Sequence, residues 1–148
     1  MKRRKAREYI LQFLYKIDFM ETLDVSPPNE AALAGALDNF WSEAGESDPK
    51  IRAFTEEIVK GTILNSKKID SIIQKVAEKW TLSRMAAIDR NILRAATYEL
   101  LFRRDIPSAV TINEALEIAK KYSTADSASF INGILDKVAK KYSAKDEG

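Results

Sequence analysis

The sequence contains no cysteine and no histidine. Without thiols there can be no disulfides and no thiolate metal site. Without imidazole, the commonest general base and the commonest metal ligand are both missing. Glycine and proline are sparse, at five and four residues out of 148, so the punctuation of β-hairpins is absent. No apolar run approaches the roughly 18 to 20 residues needed to span a bilayer. Nor does the basic stretch at the start lead into a signal-peptide core, because Glu8, Gln12, Lys16 and Asp18 interrupt it. These absences predict a soluble, cytoplasmic, helical protein with no metal, no cofactor and no membrane contact.

What is present is a core and an uneven charge. Hydrophobic residues make up 45% of the chain, enough for one well-packed domain. There are 24 Lys+Arg against 22 Asp+Glu, a net charge of only +2. Five of the first seven residues are basic: Lys2, Arg3, Arg4, Lys5 and Arg7. Without those five, 19 cations face 22 anions, so the rest of the chain is net −3. Positive charge gathered at one end points to a polyanionic partner.

The basic segment runs directly into a helical pattern over residues 3–21. Ala6, Tyr9, Ile10, Phe13, Leu14, Ile17 and Met20 share one apolar arc. Arg4, Arg7, Glu8, Gln12 and Tyr15 lie opposite, and Leu11 falls among them. A loop follows at residues 24–29, around Pro27-Pro28. A second helix is expected over residues 30–43 with Asn29 as N-cap. Asp48-Pro49 then opens a third, with an acid at the N-cap and proline at the first helical position. Apolar periodicity continues to Trp80, with Asn65-Ser66 as a break and Ile69, Ile72, Ile73 and Val76 as a stripe.

Residues 80–82 read as a hinge between subdomains covering about residues 1–80 and 81–148. In the second, Ile88, Ile92, Leu93, Ala96 and Leu100 predict a buried stripe. Asp105-Ile106-Pro107 predicts a turn. Thr111 and Glu114 fit a capping box, which would start a helix at Thr111 and run it to Tyr122. Asp126 is the expected N-cap of a last helix over residues 127–142. Gly133, inside it, costs roughly 1 kcal/mol against alanine and suggests a close helix contact. The tail beyond is expected to fray. The sum is an all-α fold of about six to seven helices in two small three-helix bundles.

Chemistry is thin. The acids sit on polar helix faces, and there is no P-loop, no dinucleotide turn and no nucleophile elbow, so no catalytic residue is assigned. Nucleic-acid binding has a better physical basis. A helix N-terminus attracts phosphate through its unpaired N–H groups and its dipole, and Lys2, Arg3, Arg4, Lys5 and Arg7 add cations there. Guanidinium suits bidentate phosphate contact. Gln12 and Tyr15, further along the same face, suit a base edge and a stacked unpaired base. This favours single-stranded RNA. The alternative is a protein-interaction scaffold whose basic helix meets an acidic partner or a membrane surface.

Three segments go further: RRKAREYILQFLY, AAIDRNILRAATYELLFRRDIPSAVTINEALEIAKKYS and ADSASFINGILDKVA. In this order and spacing they resemble the NusB family of bacterial transcription antitermination factors, over about residues 3–142. The resemblance implies an all-helical fold of two three-helix-type subdomains. It implies binding of boxA, a short single-stranded RNA element of ribosomal RNA leaders. It also implies partnership with NusE, a small-subunit ribosomal protein, in an RNA polymerase complex that reads through terminators. Arg3, Arg4, Lys5 and Arg7 match the family's arginine-rich RNA-contacting motif, and Gln12 and Tyr15 match the polar positions after it. Phe130 matches an aromatic near the RNA, and Asp126 an acid close to that surface. The resemblance leaves room for a homodimer that would cover the RNA face. The chain departs from the pattern after Tyr122, where Ser123-Thr124 replaces a frequent glycine.

Overall fold

The computed structural model describes residues 2–19 and 29–143. Among them are seven α-helices, one short 3₁₀ turn and no strand, as the periodicity predicted. Residues 24–28 of the expected loop, residues 20–21 at the expected end of the first helix and residues 144–148 of the tail lie outside the described residues. No described helix is long and apolar enough to cross a membrane. The chain divides into two compact units, residues 1–64 and 65–148.

The first unit holds α1 (Lys2–Phe19), α2 (Glu30–Ala44) and α3 (Pro49–Leu64). α1 packs along α3. It buries Ala6, Ile10, Phe13 and Leu14, while α3 buries Ile51, Phe54, Ile58 and Val59. From α2 come Leu33, Leu37, Phe40 and Trp41. Tyr9, Phe13, Phe40 and Trp41 meet edge to face, with ring centroids 5.2 to 5.9 Å apart, a geometry that adds to area burial. Leu11, which the pattern placed among polar residues, is buried as well. α2 ends at Gly45, whose φ of +71° suits a residue without a Cβ and whose N–H donates to the Trp41 carbonyl. Asp48 caps α3 as expected, its carboxylate accepting the Lys50 N–H at 2.9 Å.

The second unit holds α4 (Ser66–Ala77), the 3₁₀ turn Leu82–Arg84, α5 (Ala87–Phe102), α6 (Ser108–Tyr122) and α7 (Ala125–Tyr142). α5 packs against α4, α6 and α7. Leu93, Leu100, Ile131 and Leu135 are at most 1% exposed. Ile88 is only half-buried, at the first turn of α5. α4 turns the stripe read from the sequence inward, with Ile69 and Ile73 fully buried, and contacts α5 and α7. That places it with the later helices, whereas the sequence expectation set the subdomain boundary near residue 80.

Three local expectations in this unit are corrected. α6 begins at Ser108, directly after Pro107, so Thr111 lies inside the helix and heads no capping box. Pro107 has no N–H to satisfy and a fixed φ, and it starts the helix earlier. The Thr111 hydroxyl instead donates to the buried Glu99 carboxylate on α5, at 3.1 Å. Asp126 is not the N-cap of α7. Thr124 is, accepting the Ser127 N–H at 3.0 Å, and Asp126 sits in the first turn, where a carboxylate still suits the helix dipole. Gly133 is exposed, and a Cβ there would meet open space, so it serves no close helix contact.

Candidate nucleic-acid interface

The predicted residues fall at two places, one in each unit. The first is the start of α1. Lys2, Arg3, Arg4 and Lys5 are exposed on its first turn. The two lysines pair with acids. Lys2 Nζ lies 3.0 Å from Asp48, and Lys5 Nζ lies 2.8 Å from Glu46. Both acids belong to the short α2–α3 connection. Glu46 is itself anchored, accepting from the Tyr9 hydroxyl at 3.1 Å and from the Asp48 N–H at 3.0 Å. The hydrogen bond from Lys5, then that from the Asp48 N–H, holds the Glu46 carboxyl below the ordinary carboxylate range. Lys2, and then the Lys50 N–H, do the same for Asp48. In return the Glu46 hydrogen bond raises the Lys5 ammonium above the usual lysine value. Burial, then the hydrogen bond to Glu46, raises the Tyr9 phenol.

Arg7 differs from its neighbours. It is only 7% exposed, although the helical pattern put it on the polar side. Its guanidinium lies 5.3 Å from the centre of the Phe54 ring, and that of Arg3 lies 4.9 Å from the same ring. Phe54 thus gathers two arginines on one aromatic. No pattern along α1 alone could reveal this, because Phe54 comes from α3. Further along the helix Gln12 is exposed. Tyr15 is 39% exposed and stacks on Phe19, with centroids 6.3 Å apart and rings 19° from parallel. An exposed, preoriented aromatic pair downstream of a cationic turn can take an unstacked base.

The second place is a cleft of about 640 Å³ in the second unit. Phe130 lines it and is half-buried, neither core nor free. Its ring meets that of Trp80 edge to face at 5.4 Å. Lys79, Arg84 and Asp126 also line the cleft, and all three are exposed. Its buried wall is fixed by Asp89. One Asp89 oxygen accepts from Ser123 Oγ at 3.0 Å, the other from Ser127 Oγ at 2.9 Å. Ser123 has a negative φ, −133°, so this turn needs no left-handed glycine. Ser123, part of the departure from the family pattern, thus ties the α6–α7 turn to α5, and Ser127 ties the first turn of α7 to the same carboxylate.

Sequence reasoning missed Trp80, Arg84, Glu46 and Asp89 as parts of these places. Trp80 carried the one available signal, a large aromatic at a predicted break between helices. Glu46 and Asp89 carried none, since the side chains they bind lie 37 and 41 residues away for Glu46 and 34 and 38 for Asp89.

A profile of the NusB family matches residues 4–140. The chain is 52% identical over 141 residues to the transcription antitermination protein NusB of Thermodesulfovibrio yellowstonii, covering 95% of this chain and 93% of that one. Its fold is similar to that of T. maritima NusB, with a TM-score of 0.81, 40% identity, and coverage of 99% and 97%. It is also similar in fold to a chain from a crystal structure of the antitermination factors NusB and NusE in complex with dsRNA. There the TM-score is 0.79 and the identity 23%, over 95% and 98% of the two chains.

Proposed function

This chain belongs to the NusB family, and from that premise we propose that it is a transcription antitermination factor acting by binding alone. It holds boxA RNA together with NusE and so helps an RNA polymerase complex read through terminators. It works in the cytoplasm and catalyses nothing. Phosphates of the strand lie against Lys2, Arg3, Arg4 and Lys5, while Arg7 is the inner cation, stacked on Phe54. Gln12 and Tyr15 take up bases along the exposed side of α1. Phe130 serves the same strand in the second unit, with Asp126 beside it.

The observation that carries this reading is the first turn of α1. Four exposed cations stand on an ordered helix that goes on to present Gln12 and Tyr15. A polycation without a reader would not need that continuation. The test compares a boxA-like single-stranded RNA with its scramble, each with and without NusE, at moderate salt. Preference for boxA that sharpens with NusE is expected. Equal binding to both RNAs, indifferent to NusE, would leave a basic helical scaffold and end the antitermination reading.

A further inference from the structure

The cleft of the second unit contains an open aromatic face that is held still. Trp80 is 58% exposed, a large apolar ring left in water. The chain around it is nevertheless braced. Glu78 ends α4 at φ +47°, a conformation rare for a residue with a Cβ. The Gln74 side chain then splints the segment beyond. Its amide nitrogen donates to the Trp80 carbonyl at 2.7 Å, and its oxygen accepts the Leu82 N–H at 2.9 Å. Phe130 stands edge to face with the indole at 79°. An unusual backbone and a two-ended side-chain splint fix a tryptophan that buries little of itself. Such strain gathers where a site is preorganised.

The chemistry around the ring selects its occupant. Lys79 and Arg84 give the cleft two cations, and Asp126 gives it an acceptor. A flat ligand that stacks on indole, carries an adjacent anion and offers a donor edge is a nucleotide with an unpaired base. Guanidinium suits the phosphate bidentately. A basic protein segment would meet two like charges here.

We propose that Trp80, with Phe130 behind it, stacks one unpaired base of the bound RNA, and that Arg84 and Lys79 hold the neighbouring phosphate. This rests on the RNA-binding reading above and assigns it three residues that the basic helix does not supply. The chain has two tryptophans. Trp41 is 4% exposed and donates to Glu56 at 2.8 Å, so Trp80 is the indole that RNA can reach. Labelled boxA-like RNA is titrated into the full chain while RNA anisotropy and indole emission are both recorded. Binding is expected to quench emission in the wild type but not in Trp80→Phe, where only Trp41 reports. Trp80→Ala is expected to weaken binding about tenfold, with Trp80→Phe within about threefold of wild type, because a phenyl ring still stacks. Unchanged emission in wild type on saturation with RNA, or unchanged affinity in Trp80→Ala, overturns the assignment while leaving the RNA-binding reading intact. A Trp80→Ala defect confined to NusE binding without RNA also overturns it, in favour of a protein contact. If wild type binds no RNA at all, the assignment and the reading fall together. The emission change needs no variant, so a folding defect in Trp80→Ala cannot mask the result.

Discussion

The start of α1 and the cleft beside α7, both proposed above to hold RNA, are built in opposite ways. The first is electrostatic, with Lys2 and Lys5 paired to Asp48 and Glu46. The second relies on shape. The Gln74 side chain splints the backbone at Trp80, the Asp89 clamp ties down the start of α7, and an aromatic face stays open. Charge is long-ranged and screened by salt, whereas stacking is short-ranged and barely screened. The two places should therefore differ in how mutation and salt act on them.

The largest expected effect tests that difference directly. Arg3→Ala with Arg4→Ala should lower RNA affinity by about one to two orders of magnitude at moderate salt. It should also flatten the plot of log affinity against log salt by about 0.7 per lost phosphate contact. Phe130→Ala should lower affinity by about tenfold while leaving that slope unchanged. Anisotropy titrations at four or five salt concentrations separate the two. Identical slopes in both variants would mean that the places do not divide charge from stacking. Arg7 is a poor probe here, because its burial against Phe54 makes Arg7→Ala a packing change too.

The same division explains what could be read in the sequence. The cationic turn, Gln12 and Tyr15 are local: they follow from the order of residues on one helix, and all but the burial of Arg7 was legible. So was the helical content, since the apolar stripes of α4 and α5 recur at helical spacing. The pairing of Lys5 with Glu46 crosses a whole helix and a turn. The Asp89 clamp joins α5 to the start of α7 and to the turn before it. Thr111 shows the limit most directly, since its spacing to Glu114 imitates a capping box while its real partner is Glu99, on another helix. Pro107, four residues before the helix start that the pattern suggested, decided that boundary. Periodicity reports which face is buried, not which polar atom waits on the opposite side.

An intermediate effect concerns the clamp. Asp89 is 7% exposed and accepts two serine hydroxyls. Asp89→Ala should lower the unfolding free energy by about 1 to 3 kcal/mol, since it removes the acceptor for both serine hydroxyls. Urea denaturation followed by circular dichroism measures it. RNA affinity should fall with it, because the turn that sets Phe130 loses its tie to α5. An Asp89→Ala protein that loses stability but keeps wild-type affinity would show that Phe130 is placed by α7 packing alone.

The smallest effect lies in the acids that pair with Lys2 and Lys5. Removing them frees cations, so Glu46→Gln with Asp48→Asn should tighten RNA binding, by about twofold at low salt and not measurably at high salt. The pH dependence follows from the directions of the shifts. Folding lowers the Glu46 and Asp48 values, so their contribution to stability is present above the ordinary carboxylate range and lost as pH falls through the depressed values. Folding raises the Lys5 value, so its share is present below the ordinary lysine value and lost as pH rises through the raised one. Wild type should thus lose a small increment of stability at both extremes, and the double variant should lack both. If the variant's stability profile matches that of wild type, the acids are mere neighbours of the cations. If the profile flattens but RNA affinity does not rise, the cations they release do not reach the strand, and the RNA lies elsewhere on α1.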